Sequence, residues 1–141
     1  MSNISINEPN RHAWLKRTLS GLPAGLRLLD TGAGELQNRQ HCRHLEYVSQ
    51  DFCQYEGQEA RAPAEGLQIK SWNNSRIDLV SDITAIPVPD SSFDVILCSE
   101  VLEHLPEPAH ALDEFARLLK PGGVVILTAP FSSNVHMAPY H

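Results

Sequence analysis

The sequence predicts an α/β protein built on a doubly wound, mostly parallel sheet of about five strands. Three observations predict it. Short apolar runs recur at residues 26–30, 46–50, 77–80, 93–98 and 124–128. Segments of helical period or turn composition separate them, as crossovers between parallel strands require. The first run also ends in Thr31-Gly32-Ala33-Gly34, a turn suited to handing a buried strand over to a helix.

The elements follow in order. Residues 11–22 place Trp14, Leu15, Leu19 and Leu22 at helical spacings, and Gly21, Pro23 and Gly25 then break the pattern, so an amphipathic lead-in helix is expected. Strand one, residues 26–30, turns into a helix expected to begin near Glu35. Strand two, residues 46–50, ends at Asp51. From 52 to 76 the chain is polar and punctuated by Gly57, Pro63, Gly66 and Asn73-Asn74, which predicts a mostly irregular crossover. Strand three (77–80) ends near Asp82. Strand four (93–98) follows the turn-forming segment 87–92, and its nearly continuous apolar run suits a sheet covered on both faces. Ala109, Leu112, Phe115, Ala116 and Leu119 give the apolar stripe of a helix that stops at Lys120-Pro121-Gly122-Gly123, before strand five at 124–128. A single domain over residues 1–141 is expected, with its core at about 26–130 and a tail from 131.

Composition narrows the class. The chain has 141 residues, of which 42% are hydrophobic and 20% charged, the balance of an ordinary globular domain. No apolar run approaches the roughly 20 residues that span a bilayer, and the first residues lack a signal-peptide pattern, so a cytoplasmic location without a membrane partner is expected. Cys42, Cys53 and Cys98 are odd in number and form no C-x-x-C pair, which predicts reduced thiols and no metal ribbon. The formal charge of −6, without a basic cluster, predicts no non-specific nucleic-acid binding.

The chemistry concentrates at strand ends. Gly32 and Gly34 let a ligand approach the backbone of the first turn, although a tight structural turn would also use them. A dinucleotide fingerprint would place its third glycine at residue 37, which is Gln37, and Glu35 would set a negative charge in the first helical turn, where a pyrophosphate is repelled. Asp51 lies 21 residues beyond Asp30 at the end of strand two, where a carboxylate can accept hydrogen bonds from both hydroxyls of a ribose. A solvated strand-end carboxylate is the simpler alternative for it. Phe52 joins Asp51 among the candidate cofactor contacts. Asp82 can accept from the exocyclic amine of adenine, with Ile83 supplying apolar contact and a backbone donor. Together these describe a site for an adenosine ligand without phosphate.

From Ser92 to His104 the residues read Ser-Phe-Asp-Val-Ile-Leu-Cys-Ser-Glu-Val-Leu-Glu-His, and Leu118-Leu119-Lys120-Pro121-Gly122-Gly123 precedes strand five. With residues 28–34, Asp51 and Asp82-Ile83, these motifs make the chain resemble the class I S-adenosylmethionine-dependent methyltransferases, particularly their type 11-like group, over about residues 11–135. The resemblance implies a Rossmann-like fold, S-adenosyl-L-methionine as cofactor, S-adenosyl-L-homocysteine as product and an unidentified methyl acceptor as partner. It implies that Asp30, Gly32, Ala33 and Gly34 surround the methionine moiety, and that Ser99 and Glu100 face the cofactor from the end of strand four. The family continues past strand five into a further helix and two strands, whereas this sequence ends at His141, so the C-terminal strands and much of the acceptor side are expected to be missing. Strand five would then expose an apolar edge, and dimerisation through it is expected.

Competing readings are a nicotinamide-dependent oxidoreductase, disfavoured by Glu35, Gln37 and the lack of a Tyr-x-x-x-Lys pair at Tyr47, Tyr55 or Tyr140, and a truncated or non-catalytic cofactor-binding module. His41 and His44 could approach one metal only if their segment were helical, so no metal site is assigned. His104, His136 and His141 are not assigned a catalytic role, and no catalytic base is identified.

Overall fold

A computed structural model describes residues 7–53 and 76–130. They form one five-stranded sheet in the order β3-β2-β1-β4-β5. The strands are β1 (Arg27–Thr31), β2 (Glu46–Asp51), β3 (Leu79–Val80), β4 (Phe93–Ser99) and β5 (Leu119–Thr128). Every pairing is parallel. The chain steps outward from β1 through β2 to β3, then returns to the other side of β1 for β4 and β5. That reversal is the topological switch of a doubly wound sheet.

Alternation along the strands divides the core into two layers. Leu29, Ile96 and Cys98 pack with Ile83, Ile86 and the helix α2 (Pro108–Leu118) through Ala111, Phe115 and Leu118. Leu28, Val95 and Leu97 point to the other face and pack with Leu15 and Leu19 of the helix α1 (Asn7–Ser20), Cys42 and Ile126. The unbroken apolar run of β4 reflects this burial on both faces. Fully buried side chains such as Leu19 and Leu28 each contribute about 1.5–3 kcal/mol relative to exposure.

Four expectations are corrected. No α-helix begins near Glu35; successive turns lead instead to one short 3-10 turn, Arg39–His41. Gly34 and Leu36 have φ of 53° and 62°, left-handed values that a right-handed helix cannot contain. The argument that placed Glu35 on a helix N-terminus therefore falls away. The lead-in helix starts earlier than residue 11 and buries Leu15 and Leu19, while Trp14 is 40% exposed.

On α2 the buried stripe is Ala111, Glu114, Phe115 and Leu118, whereas Leu112 is 45% exposed and Ala109 and Ala116 face solvent. A buried glutamate made the true face read as polar. β5 begins at Leu119 rather than 124, but Phe93 faces Leu119 while Val95 faces Val124. The Lys120-Pro121-Gly122-Gly123 segment bows out of the ladder between these pairs, where a proline is tolerated. Most of the expected 52–76 crossover and the tail from 131 lie outside the described residues.

Candidate functional site

The carboxyl ends of β1 and β4 are neighbours across the switch, where the chain diverges and the sheet leaves a crevice. A cavity of about 620 Å³ lies there, bounded by Gly32 and Gly34 after β1, by Gln50, Asp51 and Phe52 at the end of β2, and by Asp82, Ile83 and Thr84 after β3. Glu100, Val101, His104, Glu107 and His110 close it from the β4 side. A second cavity of about 220 Å³ shares Gly32, Gly34 and Glu100 with the first and continues toward Asp30, Ala33, Ser99 and, from α1, Arg11 and His12. All ten residues singled out in the sequence therefore line one or the other cavity.

The turn after β1 is fastened to β2. Gly32 N donates to Gln50 Oε1 at 3.2 Å, Ala33 N to Gln50 O at 2.9 Å, and Gly34 N to Asp51 Oδ2 at 2.9 Å. Gly32 and Gly34 both have positive φ. A Cβ added at Gly32 would lie 2.6 Å from Val101 Cγ2, so this glycine admits a valine side chain as well as exposing backbone. Gln50, itself buried, also donates to Ser81 O at 2.7 Å and so ties the β1 turn to the β3 exit.

Asp51 is buried, and each carboxylate oxygen accepts one backbone bond, Oδ2 from Gly34 and Oδ1 from Cys53 N at 2.9 Å. Each oxygen retains a second lone pair for a ligand hydroxyl. Asp82 Oδ1 accepts from Thr84 N at 2.8 Å and Thr84 Oγ1 at 2.7 Å, bonds that hold its carboxyl below the usual range.

Asp30 is only 3% exposed and accepts from the Tyr47 hydroxyl at 2.5 Å. Burial raises its carboxyl to about 7, Tyr47 opposes the rise and Asp51 adds to it. Glu100 has φ 56°, a strained value for a non-glycine residue. Its N–H donates to Thr128 O at 2.9 Å and its Oε1 accepts from Arg11 Nη1 at 2.6 Å. Ser99 Oγ and Thr128 Oγ1 lie 2.9 Å apart.

His44 Nε2 is 2.9 Å from Leu22 O. No cluster of three metal-ligating side chains occurs among the described residues, and no helix among them is long and apolar enough to cross a membrane. Sequence reasoning missed Gln50, Val101, His110 and the α1 pair Arg11 and His12. Gln50 could have been suspected from its place beside Asp51 at a strand end. Arg11 carries no such signal, since 89 residues separate it from Glu100.

A doubly wound sheet with a carboxylate at the end of the strand beside its switch is the architecture used by many nucleoside-cofactor proteins. Residues 29–127 match the methyltransferase domain family, and the chain belongs to the class I S-adenosylmethionine-dependent methyltransferases. It is 32% identical over 123 residues to a ubiquinone biosynthesis O-methyltransferase of Alkalilimnicola ehrlichii, covering 85% of this chain and 47% of that one.

Among solved structures it resembles the [4+2]-cyclase SpnF, with a TM-score of 0.61 and 30% identity over 85% of this chain and 44% of the other. It also resembles the YcgJ protein of Bacillus subtilis, with a TM-score of 0.61 and 25% identity over 82% of this chain and 50% of the other. The chain thus spans about half the length of these relatives. The family assignment replaces the nicotinamide-dependent alternative.

Proposed function

We propose that the crevice binds S-adenosyl-L-methionine and that the protein transfers its methyl group to an oxygen of an acceptor molecule. One observation carries the cofactor reading. Among the described residues the larger cavity is lined by the carboxylates of Asp51, Asp82, Glu100 and Glu107 and by no Lys or Arg. Glu100 is paired with Arg11 and Glu107 lies against His110, so the repulsion a pyrophosphate would meet comes from Asp51 and Asp82, carboxylates that attract a phosphate-free, positively charged adenosine ligand. The volume of about 620 Å³ also suits a ligand of that size.

When bound, the cofactor supplies an electrophilic methyl group on a positively charged sulfonium. In this reading Asp51 accepts from the ribose hydroxyls, with Phe52 against the same end. Asp82 accepts from the adenine amine, and Ile83 supplies apolar contact. Asp30, Gly32, Ala33 and Gly34 bound the methionine end, with Ser99 and Glu100 opposite. The residues act mainly by alignment and exclusion of water, which can lower a barrier by about 7–11 kcal/mol without a dedicated base. Oxygen as the accepting atom rests on the relatives named O-methyltransferases.

Calorimetry with S-adenosyl-L-homocysteine and with NAD tests the cofactor, with heat expected for the first alone. Asp51→Ala removes two acceptors worth about 1.5–3 kcal/mol each and is expected to weaken binding about a hundredfold or more. No heat with S-adenosyl-L-homocysteine overturns the reading. Release of that product with hydroxyl-bearing acceptors then separates an enzyme from a binding module.

We further propose self-association through β5, which stands at the edge of the sheet formed by the described residues, with Val124, Val125 and Leu127 exposed. Light scattering after size exclusion tests it, and a monomer at high concentration sinks it.

A further inference from the structure

The segment between β3 and β4 begins with the cavity-lining residues Asp82, Ile83 and Thr84 and is held from α2 by two side chains. Glu114 is 7% exposed, and its Oε2 accepts from Ile86 N at 2.6 Å. Arg117 donates to Glu114 Oε1 at 2.5 Å through Nε and to Oε2 at 3.0 Å through Nη2. The same guanidinium reaches across to the segment itself. Nη2 donates to Ile86 O at 2.9 Å, and Nη1 donates to Val88 O and Asp90 Oδ1, each at 2.9 Å.

The grip continues inward. Ala85 N donates to Asp82 O at 3.1 Å, and the Asp82 carboxylate is turned by Thr84. Ile83 and Ile86 are buried beside Ala111, Phe115 and Leu118 of α2. Hydrogen bonds thus tie Asp82 to Thr84 and Ala85, the next peptide leads to Ile86, and hydrogen bonds tie Ile86 to Glu114 and Arg117.

Stability alone is a weak reason for this arrangement, because Arg117 is 33% exposed and ion pairs open to solvent contribute little. A planar guanidinium fork, by contrast, sets the position of several oxygens at once. We infer that Glu114 and Arg117 are positioning residues that set the adenine-facing edge of the cofactor crevice, and thereby its selectivity for the base. The inference rests on the adenosine reading above. The clamp touches neither the ribose carboxylate nor the methionine end, so its effect falls on the base.

Calorimetry on the 141-residue chain would compare S-adenosyl-L-homocysteine with S-inosyl-L-homocysteine, in which oxygen replaces the adenine amine. Wild type is expected to prefer the adenine ligand. Arg117→Gln is expected to reduce that preference about tenfold, the loss of one well-placed hydrogen bond, with Arg117→Lys recovering only part because it lacks the fork.

Glu114→Gln keeps an acceptor for Ile86 N and is expected to show a smaller reduction. It serves as the readout if Arg117→Gln does not fold by circular dichroism. Asp51→Ala should weaken both ligands together and leave the preference intact. A folded Arg117→Gln or Glu114→Gln with weakened affinity for both ligands but an unchanged preference overturns the inference, since that is the behaviour of a purely structural clamp. If wild type binds neither ligand, the adenosine reading itself is overturned.

Discussion

Gly32→Ala probes the tightest contact in the crevice. The new Cβ would stand 2.6 Å from Val101 Cγ2, where real Cβ atoms essentially never come closer than 3.0 Å to another heavy atom, on a backbone at φ +63°. Two costs add. A left-handed conformation costs an L-residue about 1–2 kcal/mol, and forcing a methyl into occupied space costs about 1–3 kcal/mol. Their sum of about 2–5 kcal/mol is a large part of the 5–15 kcal/mol that holds a typical domain together. Only the second cost depends on Val101, so Val101→Ala should remove it and leave the first.

Chemical denaturation of wild type, both single variants and the double variant gives the coupling directly, expected at about 1–3 kcal/mol in the direction of rescue. Equal destabilisation by Gly32→Ala in the two backgrounds would refute the argument. It would mean that the glycine is required by backbone conformation alone.

Asp30 is raised from 3.8 to about 7, so the native state holds a proton there that the unfolded chain has released. The stability it contributes is full below 3.8 and is lost as pH rises to about 7. Asp30→Asn should flatten this part of the profile, and parallel denaturation curves for the two proteins at about pH 5 and about pH 8 would exclude the assignment. Tyr47→Phe removes the donor that favours the ionised form and should move the Asp30 titration upward, as followed by carboxyl NMR shifts. On α2, Leu118→Ala should cost about 2–5 kcal/mol and Leu112→Ala no more than about 0.5. Thermal unfolding that ranked them the other way would return the buried face to the stripe first read from the sequence.

The strands were legible because burial on both faces demands continuous apolar runs, and β4 carries one from Phe93 through Cys98 except for Asp94. Asp51 and Asp82 were legible because their polarity interrupts the chain where strands end. The helix expected near Glu35 failed for a reason that composition does not display. Gly34 N is captured by the Asp51 carboxylate, and Leu36 takes a left-handed turn. The α2 stripe was misread because Glu114 occupies the buried face, a placement made possible only by Arg117 and Ile86 N.

Period, turn chemistry and strand-end carboxylates are local properties, and from them the sequence determined the α/β class, the five strands and the strand-end residues proposed to hold the cofactor. Tertiary structure decided what depends on distant partners. It brought Arg11 to Glu100, placed Val101 against Gly32, and joined buried Asp30 to half-buried Tyr47. It also replaced the reason for rejecting a pyrophosphate. Glu35 does not sit on a helix N-terminus, and the proposed reading rests instead on Asp51 and Asp82, which two strand ends bring to one cavity.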